Sequence, residues 1–210
     1  MKPLVMVGGG PGQLPRNIIE TVEAQGRALA GYLSVGGDTR PLMHPRPCLG
    51  DERLLDDAGF LDAHDVVVAL EGAQRRALCE RLLERNARLP LIAHPAATIS
   101  ATAAIGAGTI ISAGVVVQQD TRIGRFCTLY TSCSIDHDNV VGDFVSVSPG
   151  VHTAGRVTIE DDVFIGLGAL IVGGVVVGSR ATVGAGAVVL RDVAAGVTVV
   201  GNPARPLAKS

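Results

Sequence analysis

Tryptophan is absent from the 210-residue chain, and only two tyrosines and four phenylalanines are present. An interior without large rings has to be filled by small side chains. These are plentiful, since hydrophobic residues make up 47% of the chain and glycines number 27. Long apolar runs are also missing: Gly or a charged residue interrupts each well before the ~18 residues that a membrane span needs. The opening Lys2-Pro3-Leu4-Val5-Met6-Val7 is too short for a signal peptide and lacks a cleavage pattern. The four cysteines, Cys48, Cys79, Cys127 and Cys133, form no CxxC pair, which argues against a disulfide framework or a structural zinc and for a reducing, cytoplasmic setting. A formal net charge of -2 with no Lys/Arg cluster supplies no electrostatic footprint for nucleic acid.

Residues 1–92 alternate between strand and helix patterns. Leu4 to Val7, Ala28 to Leu33 and Val66 to Leu70 read as strands, Ile18 to Gln25 and Gln74 to Arg88 as helices, and Val35 to Gly50 as an irregular loop. This order predicts a small parallel, Rossmann-like α/β domain. Gly8-Gly9-Gly10-Pro11-Gly12-Gln13 follows the first strand and precedes a helix, where backbone N–H groups can cradle a phosphate or sugar. Gly10, Pro11, Gly12 and Ser34, at the ends of the first two strands, are the expected acceptor-binding residues. The dinucleotide fingerprint is incomplete, because Gln13 stands where its third glycine belongs and no acidic residue closes the second strand, where Leu33-Ser34-Val35 stands.

From Ile99 to Val189 an aliphatic residue recurs every six positions, and only Thr153 breaks the series. Four residues after each comes a second, usually small or β-branched residue, such as Val115, Cys127, Cys133, Asn139, Val145 or Ala187. A six-residue period that buries one aliphatic and one small residue predicts a triangular β-solenoid over residues 93–210, with three hexads to a coil. Residues 18 apart then stack in one column, roughly 4.8 Å between coils. Stepping in this way from His137 reaches Gly155, Gly173 and Arg191. The two glycines would leave a groove and a bare backbone beside the histidine.

The hexads, together with Asp136-His137-Asp138-Asn139-Val140-Val141-Gly142-Asp143-Phe144, Ser148-Pro149-Gly150-Val151-His152-Thr153-Ala154-Gly155 and Val200-Gly201-Asn202-Pro203-Ala204-Arg205, resemble the left-handed β-helix acyltransferases. The particular branch is that of sialic acid O-acetyltransferases and nucleotide-aminosugar N-acetyltransferases. The resemblance implies left-handed coils, a homotrimer, acetyl-CoA as co-substrate, no metal, and a sugar or nucleotide-sugar acceptor. It further implies His137 as general base, Asp138 as the carboxylate that orients it, and the Gly155 N–H as donor to the developing oxyanion. Coenzyme contacts fall at Ser146, Leu167 and Ala185, to which the 18-residue column adds Gly173. Many members have a second histidine where this chain has Ser146, and His152 is a candidate to compensate.

Each assignment has a plainer reading. His137 suits an exposed corner, Asp138 can pair across coils with Arg156, Gly173 suits a turn, and His152 suits a subunit interface. N-acetylation of a nucleotide-linked amino sugar is the first expectation, and O-acetylation of a sugar such as sialic acid is close behind. A zinc-dependent carbonic anhydrase on such a solenoid needs three converging histidines, and only His137 and His152 lie within the hexads. A noncatalytic scaffold would explain the repeats but not the acidic-His-acidic cluster.

Overall fold

The computed structural model describes residues 2–8, 12–36, 46–70 and 72–207, and the chain divides into two compact units, Met1–His94 and Pro95–Ser210. In the first unit, strands β1 (Leu4–Val7), β2 (Leu29–Ser34), β3 (Cys48–Asp51) and β4 (Asp65–Val68) form a parallel sheet in the order β3-β2-β1-β4. Every residue of β1 and β4 is buried, as the apolar runs Leu4–Val7 and Val66–Val68 in a sheet covered on both faces require, and the buried Asp65 that opens β4 is paired with Arg27 and Arg88. Helix α1 (Gln13–Ala24) buries Leu14, Ile18, Ile19 and Val22, a stripe with helical spacing. The later helices are α2 (Ala58–Ala63) and α3 (Gly72–Glu84).

Three sequence expectations need correction here. Helix α1 starts five residues before Ile18, with Pro15 accommodated in its first turn, where a missing N–H costs nothing. Helix α3 stops at Glu84 rather than Arg88, because Asn86 turns the chain with a left-handed φ of 55° and donates its N–H to the Leu83 carbonyl. The expected loop over Val35 to Gly50 contains the start of β3, an edge strand held to β2 by backbone bonds such as Tyr32 N–H to the Pro47 carbonyl at 3.0 Å.

In the second unit the chain winds through two-residue strands that stack on three faces. Face I holds Ala104–Ile105, Arg122–Ile123, Val140–Val141, Thr158–Ile159 and Val176–Val177. Face II includes Ile110–Ile111, Thr128–Leu129, Ser146–Val147, Phe164–Ile165, Thr182–Val183 and Thr198–Val200. Face III holds Thr98–Ile99, Val116–Val117, Ser134–Ile135, His152–Thr153, Leu170–Ile171 and Val188–Val189. Successive hexads visit I, II and III in turn, and parallel pairs such as Arg122↔Val140 and Val140↔Thr158 show the 18-residue coil.

Strand alternation points the first residue of each pair outward and the aliphatic second inward. The turn that follows places one residue in the left-handed region, with φ of 56° to 61° at Asp120, Phe126, Ser132, Asp138, Phe144, Arg156, Asp162 and Arg180. The next residue points inward again, and the room left there suits Val, Cys or Ala. Cys127 and Cys133 fill two such slots and are fully buried, and burial pushes the Cys133 thiol up to about 12. Their role is packing. The last coil is two residues short, since Thr182 pairs with Thr198, and Arg205–Pro206 then adds an antiparallel strand to face II. Among the described residues no helix is long and apolar enough to cross a membrane.

Candidate active site

His137 lies in the turn that joins face III to face I, between Ser134–Ile135 and Val140–Val141. The turn is tied down on several sides. The Asp136 carboxylate accepts the His137 N–H at 2.8 Å, and the Asp136 carbonyl accepts from Asn139 Nδ2 and from the Thr121 hydroxyl, both at 2.6 Å. Arg156, one coil on, donates its N–H to the His137 carbonyl at 3.0 Å. Asp136 is thus consumed by the turn itself.

Asp138 does the other job. Its φ of 56° brings the carboxylate back toward the preceding ring, and Oδ2 lies 2.8 Å from His137 Nδ1. Among the described residues its ion-pair partner is His137 and not Arg156. A carboxylate at Nδ1 takes the N–H there and leaves the lone pair of the neutral ring on Nε2. The His137 side chain is 35% exposed, so Nε2 stays reachable while the ring is held.

Gly155 stands directly against that ring. A Cβ at Gly155 would come within 2.4 Å of both Cε1 and Nε2 of His137, so no side chain fits without moving the imidazole. The Gly155 N–H donates to no group among the described residues, whereas the neighbouring Ala154 and Arg156 amides are both engaged. Gly173 continues the column: a Cβ there would meet the Gly155 carbonyl oxygen at 2.9 Å. Glycine is therefore required at Gly173 by coil-to-coil spacing as well as by any need for a groove.

The other expected coenzyme residues, Ser146, Leu167 and Ala185, lie elsewhere on the solenoid. Ser146 is a half-buried, outward-facing residue of face II. Leu167, 59% exposed, and Ala185 sit on the turns from face II to face III. In one chain, face III separates them from the His137 corner. His152 is on face III with Nδ1 2.7 Å from the Ser134 hydroxyl, and so does not share a face with Ser146. Among the described residues, no group of three His, Cys, Asp or Glu side chains is placed to hold a metal.

In the first unit, Gly10 and Pro11 lie outside the described residues. Gly12 precedes α1 in extended conformation, with ψ 167°. Ser34 is buried and its hydroxyl donates to the Gly50 carbonyl at 3.3 Å, so its side chain is engaged in joining β2 to β3. A cavity of about 280 Å³ opens beside it, lined by Val35, Gly36, Glu52, Leu70, Gln74, Ala77, Leu78 and Arg81. It lies past the carboxyl ends of β2 and β4, where open parallel sheets bind ligands. Glu52 was not singled out by sequence reasoning, yet its carboxylate accepts the Gly36 N–H at 3.2 Å. It thereby brings an acidic group to the end of β2, where Leu33-Ser34-Val35 carries none.

Residues 156–191 match the family described as hexapeptide repeat of succinyl-transferase. A GDP-perosamine N-acetyltransferase of Escherichia coli O157:H7 is 39% identical over 158 residues, covering 73% of this chain and 72% of that protein. The acetyltransferase domain of PglB from Neisseria gonorrhoeae superposes with a TM-score of 0.90 at 32% identity, covering 99% of this chain and 100% of that one. PerB from Caulobacter crescentus, solved in complex with CoA and GDP-perosamine, gives a TM-score of 0.89 at 28% identity, covering 98% and 97%.

Proposed function

Since the chain belongs to the hexapeptide-repeat, left-handed β-helix acyltransferases of the nucleotide-aminosugar branch, we propose that it transfers the acetyl group of acetyl-CoA to the amino group of a nucleotide-linked amino sugar, with His137 as general base. The observation that supports this most is the Asp138–His137–Gly155 arrangement: a carboxylate at Nδ1, a free Nε2, and bare backbone against the ring.

In this reading His137 Nε2 takes a proton from the acceptor amine as its nitrogen attacks the thioester carbonyl carbon. The new C–N bond forms, the C–S bond breaks, and the imidazolium returns the proton to the departing sulfur. The Gly155 N–H donates to the carbonyl oxygen as negative charge collects there. A positioned base of this kind contributes roughly 10²- to 10⁴-fold. Asp138 keeps the ring in the reactive tautomer and stabilises the imidazolium.

We assign coenzyme binding to Ser146, Leu167, Gly173 and Ala185, and acceptor binding to residues 1–92, with Gly10, Pro11, Gly12 and Ser34 as its binding residues and the carboxyl edge of the sheet as its place. The 280 Å³ cavity with Glu52 supports that edge as the nucleotide site. We also infer a homotrimer. Leu167 and Ala185 lie across face III from His137, and a closed threefold ring brings the II/III corner of one copy beside the III/I corner of the next. Exposed Leu170 on face III, at 43%, is an apolar side chain that such packing would cover. Sedimentation that shows only a 21.5 kDa species at micromolar concentration would remove the trimer. The soluble co-substrates and four free cysteines fit a cytoplasmic enzyme.

The test is thiol release from acetyl-CoA with a panel of acceptors: GDP-, UDP- and dTDP-linked amino sugars, and free sialic acid. Turnover with an amino sugar, and none with its N-acetylated form, is expected. Turnover with sialic acid alone would replace N-acetylation by O-acetylation.

A further inference from the structure

Thr153 is the one polar residue in the inward aliphatic series from Ile99 to Val189, and it is buried, with 5% exposure. The coil-to-coil hydrogen bonds explain its presence. The residue that follows each two-residue strand donates its N–H to a backbone carbonyl one coil on. Gln118 reaches Ile135, Tyr130 reaches Val147, Gly142 reaches Ile159, Ala154 reaches Ile171 and Val172 reaches Val189, at 2.7 to 3.1 Å. Asp136 departs from this ladder. Its N–H goes to the Thr153 hydroxyl oxygen at 3.2 Å in place of the Thr153 carbonyl.

The departure falls at the residue before His137. There the carbonyl of the same residue is held by Thr121 and Asn139, and Asn139 is itself fully buried in a slot that other hexads fill with Val, Cys or Ala. Asn139 also donates to the Ala154 carbonyl at 3.0 Å and accepts the Val157 N–H at 3.1 Å. Three side chains from three coils thus fix both ends of Asp136, whereas the corresponding Gly124 and Gly142 have a side chain, Thr109 or Cys127, at the carbonyl and backbone alone at the N–H. A buried hydroxyl costs stability unless it is hydrogen-bonded, and the solenoid has no need of one at this position, since Ile135 and Ile171 fill the same slot in the adjacent coils.

We propose that Thr153 is a positioning residue for catalysis: its hydroxyl replaces a ladder bond so that the Asp136–Asp138 turn presents His137 Nε2 over Gly155. The proposal rests on His137 as the general base. The test compares Thr153→Val, Thr153→Ser and His137→Ala in the full-length protein, by thiol release and by thermal melting.

Valine restores the aliphatic series and lets the Asp136 N–H return to the backbone carbonyl of residue 153. Thr153→Val should therefore melt at or above the wild-type temperature while kcat falls about tenfold and the KM for acetyl-CoA stays within about twofold. Thr153→Ser, which keeps the hydroxyl, should recover most of that kcat. Wild-type kcat in Thr153→Val beside an inactive His137→Ala would overturn the positioning role alone. A parallel loss of kcat and melting temperature in Thr153→Val would make the residue structural and overturn it too. Full activity in His137→Ala would remove the base assignment and, with it, this proposal.

Discussion

Replacing Gly155 by alanine would put a methyl carbon 2.4 Å from Cε1 and Nε2 of the His137 ring. Ordinary carbon contacts begin near 3.4 Å, so the imidazole has to retreat by about 1 Å. It can do so, because the ring is a side chain at a partly exposed corner and the Gly155 backbone has no positive φ that alanine would strain. The retreat pulls Nδ1 away from the Asp138 carboxylate, now at 2.8 Å, or swings Nε2 off the acceptor. A displacement of about 1 Å at a reacting group can cost 10²-fold, and kcat should fall by about that factor. The melting temperature should stay within about 2 °C, since a shift of a few degrees would need about 1 kcal/mol in a chain of this length. Thiol release at saturating substrates measures kcat, and differential scanning fluorimetry measures the melt. A folded Gly155→Ala protein with wild-type kcat would refute the claim that this ring, in this position, does the chemistry.

Three further outcomes follow from the same geometry. Asp138→Asn should lower kcat by about 10- to 100-fold with little change in coenzyme affinity, because an amide neither fixes the tautomer nor stabilises the imidazolium; equal loss in affinity measured by calorimetry would point to a binding role. Gly173→Ala should destabilise by about 1–3 kcal/mol, because its Cβ meets the Gly155 carbonyl oxygen at 2.9 Å and backbone has to yield; an unchanged melt would show that the coils have slack there. Iodoacetamide at pH 8 should label exposed Cys48 in the folded protein but not Cys79 or Cys133, whose thiols burial pushes up to about 12. Peptide mass spectrometry that finds either labelled would contradict the packing described.

The solenoid was legible in the chain because each hexad repeats one local solution: a two-residue strand, a left-handed turn and a small inward residue. The contact between His137 and Asp138 was legible for a similar reason, since the two are adjacent in sequence and need only one turn to meet. Thr153 was visible as a break in the series, but its meaning depends on which carbonyl the Asp136 N–H leaves, and that is a relation between coils. Strand β3 was hidden because an edge strand draws on backbone bonds to β2 more than on side-chain alternation, and its Cys48 and Leu49 are exposed. Glu52 reaches Gly36 across 16 residues of chain, part of it read as loop, so nothing local links the two. The separation of Ser146, Leu167 and Ala185 from His137 follows from which turn joins which face, and adjacency in a resembling motif says nothing of that.

We propose that acetyl transfer to a nucleotide-linked amino sugar runs through His137. Incubation of GDP-perosamine and acetyl-CoA with the wild-type protein and with His137→Ala, followed by mass spectrometry and NMR of the sugar, tests it directly. The wild-type protein should add one acetyl group to the amino nitrogen, and His137→Ala should do so at least about 10²-fold more slowly. An unmodified amino sugar with the wild-type protein, across this and the other nucleotide-linked amino sugars, would contradict the function. Equal product from both proteins would contradict the site.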